Sequence, residues 1–359
     1  MSSGVRFARW KDPRKVVSVV RDDERNRMRA DVFAKVMGGS LLLAMTAMAG
    51  AAQDAPTSGT ETAAVELQSA AEPSGRPVEA AAPEAELSFF GMHLFSADFE
   101  NSTSDVSVTG GGAGLDFSIP VTERGTLSIS AGAEYWNYDF SNGNAFFPLA
   151  NATVPPVWEE VYIGTIGASW RNQFDDNWGY SIGFEITSAG EPGADFSDTL
   201  TYGGFVGLSY AFDRDLLIGF GIGVQTQLED DALIVPVPIV RWQIDDQWSL
   251  TSKRVGNLGG IALNYAASDS ITLSLLGGYE RNDFRLDDEG PVADGVGRHS
   301  GIPVVLNVAW QASPQISLNA WGGYFFSQEY ELIDSDENTV AEPDADSSAL
   351  VGIGATFTF

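Results

Sequence analysis

The sequence offers few side chains for covalent chemistry. Cysteine is absent, and the only histidines are His93 and His299. Without cysteine there can be no disulfide, thiolate metal site or cysteine nucleophile. His299 precedes Ser300, a pair of types that a lipid hydrolase uses, but no orienting carboxylate or oxyanion arrangement can be assigned to it. We therefore predict no catalytic residue, and no metal site at His93, which has no partner at ligand spacing.

Glycine-rich and acidic segments do not match known ligand loops. Gly110, Gly111 and Gly112 open no helix and precede no lysine, so they do not predict a phosphate site and are interpreted as a strand bend. The acidic segments 287–289 and 334–346 lack the twelve-residue calcium pattern and are interpreted as solvated loops. The sequence thus predicts no cofactor and no bound metal.

The remaining chemistry is that of polar side chains at alternate positions along a strand. A ring of glutamates facing a lumen would favour cations over anions. The alternative is that these carboxylates pair with Arg171, Arg241 or Arg281, or simply hydrate the lumen. The candidate lumen-facing residues are Glu134, Glu185, Glu280, Gln225, Gln227, Asn264, Asn307 and Asn319.

These residues belong to segments with a period of two. In 178–188, apolar residues at even numbers alternate with Gly, Ser, Glu and Thr at odd numbers. Segments 216–228 and 347–359 repeat the pattern. Such alternation predicts strands with one apolar and one polar face. Because much of the polar face is Gly, Ser and Thr, we expect it to leave room for water.

Turn signals divide the chain into fourteen predicted strands, with twelve as the alternative count because the first, second and ninth are weakest. Pro236 and Pro238 are awkward inside a central strand, so a bulge or bend is expected there. The predicted strands are 88–100, 105–121, 126–139, 160–173, 178–189, 199–212, 216–228, 233–244, 248–254, 259–267, 271–283, 301–312, 316–330 and 347–359.

Three features favour a transmembrane barrel over a soluble sandwich. The segments run about 11–14 residues, whereas soluble strands average about 5–6. Short turns alternate with mostly longer connections, as in outer-membrane barrels. Aromatic residues sit beside the short turns, as in a girdle at one membrane interface: Trp170, Trp178, Tyr210, Phe212, Trp242, Trp248, Tyr265 and Trp310. We predict an all-β, antiparallel transmembrane barrel over 87–359, with loop 140–159 as the best candidate for a constriction.

The first 86 residues are predicted to lie outside this barrel. Val36 to Ala49 is an apolar stretch preceded by basic residues and followed by small ones, which predicts a secretory signal within 1–52. Met28 would give this signal a basic region of normal length. Residues 53–86 are rich in Ala, Pro and Glu and predict a disordered linker. The net charge of −29 argues against a nucleic-acid partner.

The end of the chain resembles the insertion signal of outer-membrane proteins. Gly354 is followed by Phe357 and the terminal Phe359, although Gly352 stands where that signal usually has a polar residue. The resemblance implies recognition by the barrel-assembly machinery, and with the secretory signal it implies an outer-membrane location among lipid.

Segments 227–231, 236–244, 246–250 and 259–265 resemble an uncharacterised family of porin-like outer-membrane β-barrels, often from planctomycete-type bacteria. The resemblance spans about 90–359 and implies no known activity. The function we expect is a narrow porin-like channel for passive diffusion of small polar solutes. The alternatives are a non-conducting structural or surface-interaction barrel, and a lipid-modifying hydrolase. The sequence predicts neither the solute nor the oligomeric state.

Overall fold

The computed structural model describes residues 82–141, Phe146 and residues 157–359, and every element in them but one is a β-strand. The exception is a short 3-10 helix, Phe196–Thr199. The strands are β1 (Glu84–Asp98), β2 (Asp105–Thr122), β3 (Gly125–Ser141), β4 (Glu160–Gln173), β5 (Trp178–Gly190), β6 (Leu200–Ala211), β7 (Leu216–Gln225), β8 (Leu233–Gln243), β9 (Trp248–Val255), β10 (Leu258–Ser268), β11 (Ile271–Gly277), β12 (Glu280–Arg285), β13 (Val296–Ser313), β14 (Ile316–Ile333), β15 (Thr339–Ala341), β16 (Asp344–Ala345) and β17 (Ser348–Thr358).

Consecutive strands pair antiparallel, and β1 closes the sheet by pairing with both β2 and β17. Strands β11 and β12 are two parts of one wall strand, because both pair with β13. Strands β15 and β16 are short pieces on the outer end of β14. The wall is therefore a closed antiparallel barrel of 14 strands, which confirms the predicted fold class and the higher strand count.

The outer face of the barrel is apolar and carries aromatic rings beside the short turns. Trp178 and Trp248 are 41% and 40% exposed. Their ring centroids lie 4.8 Å from Tyr210 and 4.9 Å from Tyr265, respectively. Amphipathic rings of this kind suit the boundary between hydrocarbon and water. Within the described residues, no helix is long and apolar enough to span a membrane.

The pairing register bears on two expectations about irregular strands. The β7–β8 register passes through Pro236 and Pro238 without a shift, so there is no bulge at the prolines. Gly110 and Gly112 lie inside a β2–β3 ladder that stays regular along them. A Cβ on Gly110 would lie 2.2 Å from the ring of Trp136, so this glycine makes room for a large neighbour. A bend at these prolines or glycines stays a prediction.

The barrel starts slightly earlier than expected. Strand β1 begins at Glu84, three residues inside the predicted linker, because Glu86 already pairs with Thr358 and Asp116. The predicted signal, the possible start at Met28 and the linker up to residue 81 lie outside the described residues, as does most of loop 140–159.

Candidate functional site: the barrel lumen

The half of the lumen nearest the short turns is lined by small polar side chains. Ser181, Ser274 and Asn307 face inward and are each only 1% exposed. Lys253 on β9 reaches across this surface and donates from Nζ to Ser274 Oγ at 2.6 Å. Ser181 Oγ and Asn307 Oδ1 have no protein hydrogen-bond partner in the described part of the chain. This half of the lumen is therefore polar and closely packed, with side chains that are buried against one another.

Each of the three candidate glutamates accepts a hydrogen bond from a different group nearby. Glu134 is 6% exposed and accepts a hydrogen bond from Trp136 Nε1 at 2.9 Å. Glu185 accepts one from the hydroxyl of Thr187 at 3.3 Å. Glu280 Oε1 accepts the backbone N–H of Gly259 at 2.8 Å. These carboxylates lie on β3, β5 and β12, and a cation-selective ring of them remains a prediction.

The amide candidates are spread over the inner surface. Asn264 is 7% exposed and donates to Thr251 Oγ1 at 2.9 Å. Asn319 is half-buried on β14, and Gln225 is half-buried at the end of β7. Gln227 lies beyond that end, where its side-chain carbonyl accepts a hydrogen bond from Arg281. The amides therefore extend from the turn side of the lumen to its outer mouth.

An aromatic cluster packs in the outer half of the lumen and narrows it. We define the cluster as Phe99, Tyr138, Phe140, Phe146, Trp158, Phe284, His299, Phe325 and Tyr330. Tyr330 and Phe284 are completely buried. This packing differs from the expectation that small residues leave room for water. On β3, Tyr138 and Phe140 point inward and Tyr135 is exposed on the outer face, so both faces of the strand carry aromatic residues. The alternation of apolar and polar residues therefore could not predict that aromatic side chains occupy the lumen.

Part of loop 140–159 joins this cluster. Phe146 and Trp158 are 5% and 1% exposed, and their ring centroids are 4.6 Å apart. The described residues of the loop thus narrow the lumen, as expected for a constriction. Phe147, Pro148, Pro155 and Pro156 lie outside the described residues.

The histidines do not form a catalytic arrangement. His299 is 6% exposed and stacks on Tyr330 with ring centroids 4.2 Å apart. Neighbouring residues of a strand point to opposite faces, so Ser300 lies away from that ring. His93 Nδ1 lies 2.7 Å from Thr109 Oγ1. Neither histidine therefore has the geometry of a general base acting on an adjacent serine.

The loop between β7 and β8, residues 226–232, which we call the latch loop, packs on the outer ends of β12, β13 and β14. Leu228 is buried against Val296 and Ile333 and anchors it. Glu229 Oε1 lies 2.8 Å from Arg285 Nη2. Asp230 Oδ2 lies 3.1 Å from Arg298 Nη2, which belongs to β13. The latch loop is thus held by charge pairs to β12 and β13, on the face opposite to Phe284 and His299.

These pairs belong to a larger network. Arg298 also contacts Glu331 and lies 3.0 Å from Asp283, which in turn lies 2.9 Å from Arg281. The side chains of Arg298, Asp283 and Glu331 are only 10%, 13% and 13% exposed. Charges removed from water this far are tolerated only when paired, so the members of the network depend on one another.

Beside the latch loop lies an acidic cavity of about 280 Å³, lined by Glu229, Asp230, Asp231, Glu331, Ile333, Glu337 and Thr339. No group of three or more His, Asp or Glu side chains in the described residues is arranged to hold a metal ion. The cavity therefore lies between the latch loop and the outer end of β14.

The β9–β10 turn is a lumen element that the sequence did not predict. Val255 and Leu258 are 5% and 1% exposed and pack in the same buried cluster as Trp321. Gly256 lies between them with φ +63°, and a Cβ there would be 2.7 Å from the Trp321 ring. The turn therefore points into the barrel. The only signal in the sequence was a pair of short segments flanking a glycine.

A buried carboxyl group holds the outer loops together. The Glu191 carboxylate accepts the backbone N–H groups of Glu159 and Asp287, both at 3.1 Å. Burial raises the pKa of Glu191 to about 7, against the two hydrogen bonds, which lower it, and with Asp287 and Glu159 adding repulsion. The group therefore changes charge near neutral pH.

Comparison with family models gives one match, to a family described as a domain of unknown function (DUF6268), over residues 95–354. The chain belongs to this family. The match indicates no source organism, so a planctomycete-type origin stays a prediction. No curated protein matches the chain.

Solved structures of barrels resemble this DUF6268 chain remotely. The COG4313 outer membrane channel from Pseudomonas putida F1 is 10% identical, with 77% of this chain and 95% of that chain covered and a TM-score of 0.40. A FadL homologue from Pseudomonas aeruginosa is 13% identical, with 86% and 99% covered and a TM-score of 0.39. The NanC porin is 14% identical, with 76% and 98% covered and a TM-score of 0.32. At these values the likeness indicates no solute.

Proposed function

We propose that this chain is an outer-membrane channel for small polar solutes that is shut at its outer mouth in the present conformation. The observation that carries the proposal is the latch loop. It holds Glu229 and Asp230 against Arg285 and Arg298 at the outer ends of β12 and β13, in a barrel whose turn-side lumen is polar. The exposed apolar band and the aromatic girdle support the membrane location. Export to the outer membrane would depend on the predicted secretory signal.

The polar lumen supports transport over a purely structural role. Burying Asn307, Lys253 and Glu134 costs free energy that an apolar filling would avoid. A barrel that served only as a scaffold would not need these groups. Glu134, Glu185 and Glu280 share the inner face with Lys253, Arg171 and Arg241, so the number of charges favours neither cations nor anions in the passage. The aromatic cluster narrows it, so only small solutes would pass.

A non-conducting structural barrel is the second candidate. The observation that favours it is the complete burial of Tyr330, Phe284 and Leu276, which fill much of the outer lumen. A lipid-modifying hydrolase finds no such support, because His299 stacks within the aromatic cluster. We therefore propose no enzymatic activity.

Solute flux distinguishes the two candidates. Proteoliposomes holding the wild-type chain or Glu229→Gln/Asp230→Asn are given an inward gradient of glycerol, and swelling is followed by light scattering. The channel predicts slow swelling for the wild type and faster swelling for the variant. Swelling of both at the rate of protein-free liposomes would favour the structural barrel. Asp231→Asn is the matched control, because Asp231 lies in the same loop and makes no ion pair in the described part of the chain.

A further inference from the structure

The wall of the barrel closes on itself a second time at its outer end. The β5–β6 ladder ends at the pair Ser188–Leu200. Two residues further along β5, Gly190 pairs in parallel with Arg285 of β12. The N–H of Glu191 also donates to the carbonyl of Arg285, at 2.9 Å. Strand β12 thus takes the place of β6 beside β5, and β1–β5, β12–β14 and β17 form what we call the small ring.

The wall strand formed by β11 and β12 changes neighbours to make this ring. Strand β11 pairs with β10 as far as the pair Ile261–Gly277. Strand β12 then has β13 on one side and β5 on the other. Strands β6–β10 therefore lie outside the small ring. The ring covers only one side of the lumen, and β6–β10 bound the other side.

The aromatic cluster packs inside the small ring. Phe284 of β12 points into it, with its ring centroid 5.7 Å from that of Tyr138 and 5.4 Å from that of Trp158. His299 of β13 stacks on Tyr330 in the same interior. A polar solute that crossed this interior would lose its water without gaining equivalent hydrogen bonds, which costs free energy. The small ring is therefore an unfavourable path for a polar solute.

The opposite face of β12 and β13 is charged. Arg281, Arg285 and Arg298 lie on it, because neighbouring residues of a strand point to opposite sides, and we call it the charged face. It is turned towards β6–β8, since Arg285 Nε donates to the carbonyl of Asp198, just before β6, at 3.0 Å. Arg281 likewise donates to the side-chain carbonyl of Gln227, just after β7. The charged face and the outer ends of β6–β8 therefore bound a gap beside the small ring.

The latch loop spans this gap. Its first residue is fixed to β6, because Thr226 Oγ1 accepts the N–H of Tyr202 at 2.8 Å. Leu228 is buried against Val296 and Ile333, on the same side of the sheet as the charged face. The acidic cavity of about 280 Å³ also lies on this side, between the latch loop and β14. The latch loop thus has the position of a cover over the gap.

We propose that polar solutes leave the lumen through this gap, between the outer ends of β6–β8 and the charged face, and do not cross the small ring. Arg281 and Asp283 lie 2.9 Å apart on the charged face and present a hydrogen-bond donor beside an acceptor to a passing solute. The two are therefore specificity-determining residues of the passage. This inference rests on the proposed function, because it names the route that the latch loop shuts.

Single cysteines test the route, since the chain has none of its own. Ser300 pairs with Arg281 across β12 and β13, so it lies on the charged face. Ser348 lies inside the small ring, where its hydroxyl accepts a hydrogen bond from Gln328 Nε2 at 3.1 Å. The two serines are 5% and 4% exposed, so they are matched in type and in burial. Glu329→Cys, at the residue of β14 that pairs with Ser300, repeats the test at a second position on the charged face.

Each cysteine is combined with Glu229→Gln/Asp230→Asn, which frees the latch loop. Proteoliposomes of each variant are treated with a methanethiosulfonate that carries a trimethylammonium group. Glycerol-driven swelling is measured before and after treatment, and intact mass gives the extent of labelling. Labelling of Ser300→Cys or Glu329→Cys is expected to reduce swelling to the rate of protein-free liposomes, and reduction of the mixed disulfide is expected to restore it. Ser348→Cys is expected to swell equally fast before and after treatment.

Three outcomes would overturn the route while leaving the channel standing. They are loss of swelling in labelled Ser348→Cys, undiminished swelling in labelled Ser300→Cys and Glu329→Cys, and failure of the reagent to label either of those two in liposomes that swell. An absence of swelling in Glu229→Gln/Asp230→Asn without any cysteine would instead count against the channel itself, and the route would fail with it.

Discussion

At the scale of single residues, the charged groups around Arg298 form largely buried ion pairs rather than solvent-exposed salt bridges. Arg298 contacts Asp230, Asp283 and Glu331, and its side chain is 10% exposed. By contrast, Arg124 and Asp176 pair at 2.7 Å with side chains 46% and 86% exposed. Burial decides the energetics, because a buried charge that loses its partner keeps its desolvation cost.

We predict that Arg298→Ala lowers the free energy of unfolding by about 3–5 kcal/mol, since it leaves Glu331 buried without its cation and leaves Asp283 with Arg281 alone. Urea unfolding in lipid vesicles, followed by tryptophan fluorescence, measures the change. The control is Arg124→Ala, which is expected to cost about 0–1 kcal/mol because its pair is solvated. Equal costs for the two variants would show that the mouth network is not buried in the membrane-bound protein.

Glu191 gives a prediction of pH dependence. Its folded pKa of about 7 lies above the ordinary 4.5, so the protonated carboxyl favours the folded loops. That contribution is complete below the ordinary pKa and is lost as pH rises through about 7. After correction for intrinsic exchange, the amide of Asp287 should exchange faster with solvent as pH rises through this range.

The matched variant for this measurement is Glu191→Gln, which keeps the shape of the side chain but has no charge to lose. Its corrected exchange rate at Asp287 should be flat across the same range. A pH-dependent rise of the same size in Glu191→Gln would assign the effect to another group.

At the scale of elements, the wall strands followed from the sequence and the inward hairpin did not. Period-two alternation has one meaning where one face is apolar and the other is small and polar, as in β5, β7 and β17. It is uninformative where both faces are apolar, as in β8, whose inward Val237 and Ile239 alternate with outward-facing prolines. The prolines were correctly recognised as unusual in a central strand. They are tolerated because the β8–β9 ladder ends at Arg241–Thr251, which the sequence of one strand cannot reveal.

The inward turn of β9–β10 predicts a specific cost for Gly256→Ala. Its φ of +63° disfavours a side chain, and the Cβ would meet the Trp321 ring at 2.7 Å. The backbone term alone should lower the unfolding free energy by about 1–2 kcal/mol. The control is Gly203→Ala, where the nearest atom to the added Cβ would be the Glu185 Cβ at 3.8 Å, an ordinary van der Waals distance. The midpoints of urea unfolding of the two variants are compared. A midpoint for Gly256→Ala no lower than that of Gly203→Ala would mean that the turn does not pack inside the lumen.

At the scale of the whole molecule, the closed barrel was predictable because it requires only repetition of one local rule. Fourteen segments with short and long connections alternating define the wall. The contents of the lumen were not predictable in the same way. The aromatic cluster joins β3, β12, β13, β14 and the residues around Trp158, and its members meet only because the barrel closes. The latch loop likewise joins Glu229 to Arg285, which no sequence pattern connects.

For the candidate lumen-facing residues, too, the sequence predicted the inward placement but not the hydrogen-bond partners. Inward placement of Asn264, Asn307 and Glu134 follows from strand alternation, whereas their partners come from neighbouring strands. Gln227 was interpreted as a lumen side chain, yet it lies beyond the end of β7 and contacts Arg281 in the mouth. Its role therefore belongs to the latch loop, which the alternation of β7 alone does not show.

Single-channel recording in planar bilayers tests the central claim, a channel shut by the latch loop, most directly. Wild-type protein should give rare openings, and Glu229→Gln/Asp230→Asn should open more often, because the latch loop loses its charge pairs with Arg285 and Arg298. Asp231→Asn should record as the wild type does. An open probability for Glu229→Gln/Asp230→Asn no higher than that of Asp231→Asn would contradict the account.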